Sequence, residues 1–261
     1  MDLGLKGKVA AVSGASQGIG YAIALGLAAE GANVAISARG KERLDRAVTD
    51  LQTKGVKALG VQCDLATPAG CQKFIEDTVA HFGGLDILVN NVGGMVPGTL
   101  ETLSDEAWKN ILDRNLMSYV WCTRAAVPHL KKRPRAKILN VSGMTGKQLL
   151  PGSMSTTLPN TAIIGFSKLM AGDLGSQGIT VNNICPGTVN TEGWGPRSEA
   201  LAKVRNMTPE QVRKMFSDLT LLGRWAEPQE IADVATFLVS ERNNYMTGTT
   251  VEVCGGWGRY I

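Results

Sequence analysis

Four tyrosines and two histidines are few for 261 residues, and each scarcity removes a class of chemistry. The histidines, His81 and His129, and five scattered cysteines, Cys63, Cys71, Cys122, Cys185 and Cys254, form no Cys-x-x-Cys pair and no Cys/His cluster. That argues against structural zinc. An odd, unclustered set of thiols suits a reducing cytosol better than a disulfide-built secreted domain. No apolar run approaches the roughly 18 residues of a membrane span, and Met1 to Lys8 hold no apolar signal-peptide core. The expectation is a soluble, cytoplasmic protein that binds no membrane. Charge of one sign is scarce as well. The balance of 27 basic and 23 acidic residues leaves only +4, which is no nucleic-acid signature. The densest basic run, Lys131, Lys132, Arg133, Arg135 and Lys137, reads as a solvated loop ahead of a strand.

What is abundant is apolar residues, 44%, and glycine, 31 residues with no fixed period. Disorder and collagen-like repetition are excluded. A chain of this length buries most of its apolar surface without staples. Short apolar runs recur at Val9–Val12, Val34–Ser37, Ala58–Val61, Ile87–Val89, Ile138–Val141, Ile179–Ile184 and Thr250–Val253. They are nearly continuous rather than alternating, as strands buried on both faces of a parallel sheet must be. Helix-period stripes lie between them: Cys71, Phe74, Ile75, Thr78, Val79, Phe82; then Trp108, Ile111, Leu112, Leu116, Tyr119, Val120; then Ile231, Val234, Ala235, Leu238, Val239. Ser104-Asp105-Glu106 and Pro228 with Glu230 mark helix starts. The β-α alternation continues unbroken and no linker divides it. The pattern predicts one Rossmann-type, doubly wound α/β domain over residues 1–261, with about seven parallel strands joined by right-handed crossovers.

The first strand runs into Ser13-Gly14-Ala15-Ser16-Gln17-Gly18-Ile19-Gly20, and a helix follows. Glycine lets the backbone turn tightly and approach a pyrophosphate, while the helix N-terminus offers free N–H groups and partial positive charge. A ligand-free tight turn is the alternative. At the end of the second strand, an acidic residue would accept hydrogen bonds from a ribose. Ala38-Arg39 stands there instead, with Lys41 nearby. The cation leans toward a 2′-phosphate, hence NADP over NAD; Gln17 adds no second cation, and a solvated Arg39 is the alternative.

Gly14-x-x-x-Gly18-x-Gly20 resembles the glycine pattern of the short-chain dehydrogenases/reductases, and the likeness runs along nearly the whole chain. Cys63-Asp64-Leu65 matches the Asp that meets adenine in that family. Asn90-Asn91-Val92-Gly93 matches its Asn-Asn-Ala-Gly turn. Pro186-Gly187-Thr188-Val189-Asn190-Thr191 matches its nicotinamide-lining segment, and Thr247-Gly248 with Gly255-Gly256 its last strand. The resemblance implies an NAD(P)(H)-dependent oxidoreductase acting on a small carbonyl or alcohol substrate. It also implies assembly as a dimer or tetramer through two long helices, and a mobile lid at about 192–218. Arg197, Lys203, Arg205, Arg213 and Lys214 in that lid suit an anionic or CoA-linked substrate or a merely solvated helix pair. Trp194, Met207, Met215 and Phe216 read as packing within it.

Family members usually carry Asn, Ser, Tyr and Lys. Here Ser142 ends the fifth strand and Asn115 lies on the second stripe, where a buried amide needs a partner. The resemblance implies catalytic roles for both; a local hydrogen bond or a structural amide are the alternatives. The Tyr-x-x-x-Lys pair has no counterpart. Residues 164–168, counted back from Val181-Asn182, place Thr156 at the Tyr position and Asn160 at the Lys position, whereas counting forward from Ser142 gives Ser155 and Pro159. The residues four places after Tyr21, Tyr119 and Tyr245 are Leu25, Thr123 and Thr249, and Tyr260 has none. Lys168 lies two turns past Asn160. Pro159 fits poorly inside a helix, so the helix is expected to begin after it. Three readings follow: an oxidoreductase with an atypical active site, its proton relay rebuilt from Ser142, Asn115, Tyr119 or Lys147; a degenerate subunit supporting an active paralogous partner, as in some hydroxyacyl-CoA dehydrogenases; or a non-redox relative.

Overall fold

The computed structural model describes residues 2–150 and 152–258; Pro151 and Tyr260 fall outside them. Seven strands form one sheet: β1 (Val9–Val12), β2 (Asn33–Ala38), β3 (Ala58–Gln62), β4 (Ile87–Asn90), β5 (Lys137–Val141), β6 (Thr180–Pro186) and β7 (Thr250–Val253). Every pairing is parallel and the order is β3-β2-β1-β4-β5-β6-β7. All seven apolar runs are strands. The order reverses between β1 and β4, and the crevice outside the strands' carboxyl ends at such a point is where open α/β sheets bind ligands.

Helices α1 (Gly18–Ala29), α2 (Lys41–Gln52), α3 (Pro68–Phe82), α4 (Asp105–Leu112), α5 (Ser118–Leu130), α6 (Met154–Gly175), α7 (Trp194–Arg205), α8 (Pro209–Asp218) and α9 (Pro228–Leu238) complete the chain. One apolar cluster joins β1 and β2 to α1, α2 and α9, and a second joins the opposite sheet face to α3, α5 and α6. A third, built on Phe216, Trp225 and Trp257, roots α7 and α8. Ser104 caps α4 by accepting from Ala107 N (3.2 Å), and Pro228 opens α9. No helix of the described residues is long and apolar enough to cross a membrane.

Three expectations are corrected. The stripe from Trp108 to Val120 is not one helix: a π turn at Asp113–Met117 separates α4 from α5 and changes the phase at Asn115. Lys137 is not in a solvated loop. It opens β5 at 3% exposure, and its Nζ donates to Asn243 O at 2.6 Å. Burial lowers its pKa below the ordinary lysine value. Pro159 lies inside α6 rather than before it. Proline there leaves the carbonyl four residues back without its helical donor. That carbonyl, Ser155 O, accepts from Asn115 Nδ2 instead, at 3.3 Å.

Candidate active site

A cavity of about 450 Å³ runs along the carboxyl ends of the strands. Its first end is the β1–α1 loop. Gly14 and Gly18 have φ of +61° and +62°, a left-handed conformation open to glycine at little cost. Asn91 fastens the loop: its N–H donates to Ser13 Oγ (2.8 Å), and its Nδ2 donates to the Ser13 and Gly14 carbonyls (3.2 Å each). Gly20 does not line the cavity. A Cβ there would lie 2.3 Å from Asn91 Nδ2, so Gly20 permits helix and loop to close on each other. Gly14, Ser16, Gln17, Gly18 and Ile19 do line it. Gln17 makes no side-chain cap for α1, whose first turn holds no acid; its Oε1 accepts from Arg43 (2.6 Å). The α1 N–H groups therefore face the cavity with their partial positive charge uncovered.

Arg39, Asp64, Leu65, Asn91 and Gly93 line the same end, and Pro186, Gly187 and Thr191 close the opposite side. Thr191 packs on the loop: a Cβ on Gly18 would lie 3.4 Å from its Cγ2. The left-handed glycines, the uncovered helix terminus and the guanidinium at β2 together fit a dinucleotide.

The second end is the wall between β5 and α6, where Ser142, Asn115, Thr156 and Asn160 all reach the cavity. Ser142 Oγ accepts from Asn183 Nδ2 (2.9 Å) and lies 3.0 Å from Cys185 Sγ and 3.4 Å from Ile184 O. Asn115 donates to Gly94 O (2.7 Å) as well as to Ser155 O, and its Oδ1 accepts from Arg114 Nε (3.0 Å). It is a strut joining three segments. Thr156 Oγ1 donates to Ser153 O (3.0 Å), and Asn160 Nδ2 donates to Thr145 Oγ1 (2.9 Å). In the other register, Ser155 and Pro159 are buried off the cavity, with Ser155 Oγ accepting from Val96 N (3.2 Å).

Tyr119 reaches the cavity but is spent. Its hydroxyl donates to Val141 O (2.7 Å), and burial raises its pKa above that of a free phenol. Tyr21 donates to Asp50 Oδ2 (2.6 Å); burial, then that carboxylate, push its pKa up to about 12. Tyr245 is fully exposed. Lys147 is paired with Glu252 and is not among the lining residues.

Two lining cations were not singled out by the sequence: Arg114, which it did not name, and Arg197, which it offered only among the lid cations. Arg114 follows no period that marks it. Arg197 was one of several lid cations with a solvated alternative. Desolvation lowers the pKa of both, and Arg39 and Arg197 lower that of Arg114 further.

The family model described as enoyl-(acyl carrier protein) reductase matches residues 14–258. A 3-oxoacyl-[acyl-carrier-protein] reductase of Staphylococcus aureus is 33% identical over 95% of this chain and 97% of its own. The L-sorbose reductase of Gluconobacter frateurii, solved with NADPH and L-sorbose, superposes with a TM-score of 0.94 at 35% identity over 100% of both chains. A short-chain dehydrogenase/reductase of Serratia marcescens superposes at 0.87, 32% identical over 97% of this chain and 98% of that one.

Proposed function

The chain belongs to the short-chain dehydrogenase/reductase family of NAD(P)-dependent oxidoreductases, and from that premise we propose that it binds NADP(H) and acts on a carbonyl/alcohol pair at an atypical active site. One observation carries the reading. The glycine loop, Arg39, Ser142, Thr156 and Asn160 line a single cavity, and no lysine lines it among the described residues. The β1–α1 loop, Asn91, Asp64 and Thr191 would hold the cofactor, and Arg39 its 2′-phosphate. NADPH in the sorbose reductase neighbour supports the same lean.

When bound, the cofactor supplies or accepts the hydride. Carbonyl reduction then needs one proton on the substrate oxygen. Ser142 Oγ would hydrogen-bond that oxygen, and the hydrogen bond it accepts from Asn183 supports this role. Thr156 offers an aliphatic hydroxyl where the resemblance implies a phenol, and Asn160 offers an amide where it implies an ammonium. Neither ionises near neutral pH. Proton delivery is therefore the slow event.

The same lack of an acid–base pair favours a second reading, a subunit that supports an active paralogue. Leu158 and Leu169 are exposed along α6, one of the long helices through which the resemblance expects subunits to pair.

The test is titration of the purified protein with NADPH and NADH, followed by nicotinamide fluorescence, and turnover of a ketone panel. The expected result is saturable binding, tighter for NADPH by about tenfold or more as one charge-assisted phosphate contact allows, with slow turnover. No fluorescence change with either cofactor overturns the proposal. A co-purifying paralogue carrying Tyr-x-x-x-Lys decides for the second reading.

A further inference from the structure

Two cations of the cavity have no task in that reading. Arg114 leaves the π turn with its guanidinium over Gly94, where an added Cβ would lie 3.0 Å from Cζ. Arg197 stands one turn into α7 and, among the described residues, makes no hydrogen bond or ion pair. It cannot simply swing into solvent with its helix. The Trp194 ring at the start of α7 packs edge-on against Phe216 (4.9 Å) and Trp225 (4.6 Å). Arg39 and Arg197 are both close enough to act on Arg114 electrostatically, Asp64 acts on it in the opposite sense, and desolvation weighs on Arg114 and Arg197. Partly buried like charges that outnumber their counter-ion are costly. A ligand with several negative charges removes that cost.

The chain path says where the charge sits. Thr191 lies directly on the glycine loop at Gly18, and Arg197 follows six residues later. The β1–α1 loop with its uncovered helix terminus is the diphosphate cradle, whereas Arg39 lies at the 2′-phosphate end. We infer that Arg197, backed by Arg114, is a lid-borne clamp for the cofactor's diphosphate, which ties the packed helix α7 to the bound cofactor. This rests on the NADP(H) reading above. A planar guanidinium can bind two phosphate oxygens at once.

The experiment compares the intact protein with Arg197→Met, Arg197→Lys and Arg39→Met. The probes are NADPH, ADP (diphosphate only), adenosine 2′-monophosphate and acetoacetate (carboxylate only). Arg197→Met is expected to weaken NADPH and ADP by roughly 10–100-fold, the range for a charge-assisted hydrogen bond, and to leave adenosine 2′-monophosphate within about threefold. Arg39→Met is expected to weaken NADPH and adenosine 2′-monophosphate instead, and to leave ADP within about threefold. Arg197→Lys, with charge but no fork, falls between. NADPH slows amide hydrogen exchange across residues 194–205 in the intact protein and not in Arg197→Met. Unligated melting of each variant checks folding, and Arg197→Gln replaces the methionine variant if it fails to fold.

Unchanged NADPH and ADP affinities in Arg197→Met overturn the clamp, as does an equal loss for adenosine 2′-monophosphate. Unchanged ADP affinity with weakened acetoacetate binding assigns Arg197 to a substrate carboxylate and also overturns it. An intact protein that binds none of the three nucleotides sinks the NADP(H) reading itself. That result is distinct from an intact protein that binds them and a variant that binds them equally.

Discussion

The two ends of the cavity treat their polar groups in opposite ways. At the glycine-loop end, to which we assign the dinucleotide and the Arg197 guanidinium, donors are left over: the α1 terminus is uncapped by a side chain, and Arg197 has no partner among the described residues. At the substrate wall the polar groups are spent on the protein. Ser142 is held by Asn183, Asn115 by Gly94, Ser155 and Arg114, Thr156 by Ser153 and Asn160 by Thr145. Leaving polar groups unpaired costs free energy in a folded protein unless a ligand takes them up. An end with donors to spare is built to bind, and an end that satisfies itself has little acid–base capacity to give.

The largest expected effect breaks this contrast by rebuilding the wall. A double variant, Thr156→Tyr with Asn160→Lys, places a phenol and an ammonium one helical turn apart on the cavity face of α6. A phenol near pKa 10 is a poor acid–base group at neutral pH, and a neighbouring cation lowers that value. General acid–base assistance is worth about 10²–10⁴ in rate. Ketone reduction by the double variant should rise by that order, measured as kcat/KM, with NADPH affinity within a few-fold of the parent. A rate that stays flat locates the deficit elsewhere than in these two side chains.

The second effect attacks the binding end. Gly20→Ala adds a methyl group that would lie 2.3 Å from Asn91 Nδ2 and 2.9 Å from Gly14 O. Either Asn91 lets go of the loop or α1 moves off it. Both disturb the cradle, and over-packing of this kind costs about 1–3 kcal/mol. NADPH binding should weaken by roughly 5–160-fold if that cost falls on the bound state. Fluorescence titration reads it, and Gly40→Ala, with nothing within 4 Å of the added atom, is the comparison that should stay near the parent value.

The sheet was legible and parts of the wall were not, for a physical reason. Strands buried on both faces declare themselves by continuous apolar runs, and all seven did. Lys137 hid because its satisfaction is remote: the carbonyl that accepts from its ammonium belongs to Asn243, 106 positions away. Pro159 hid for the same reason. The carbonyl orphaned by its missing N–H is taken up by Asn115, 40 positions earlier, which no local helix rule detects. The glycine loop needs only neighbours in sequence, so its backbone geometry could be read directly. Arg197 needed the fold, since several lid cations look alike until one of them lines a cavity.

The smallest expected effect sharpens the contrast at a single hydrogen bond. Asn183 is fully buried, and its Nδ2 donates to Ser142 Oγ at 2.9 Å while its Oδ1 has no partner. Replacing it with leucine removes one donor and one unsatisfied acceptor of similar volume together, so the two stability terms oppose each other and melting should move little. The catalytic effect is different in kind. Ser142 keeps only its neighbours Cys185 and the Ile184 carbonyl, and its hydroxyl is no longer held from behind. One neutral hydrogen bond is worth about 0.5–1.5 kcal/mol, which predicts a fall in kcat/KM of roughly 2–12-fold in the Thr156→Tyr, Asn160→Lys background, where turnover is easily measured. NADPH affinity should not change, because Asn183 is not among the cavity's lining residues. If affinity falls and the rate does not, Asn183 supports the β6 end of the cofactor cradle rather than Ser142, and the boundary between the binding end and the chemical end lies one residue further along the strand.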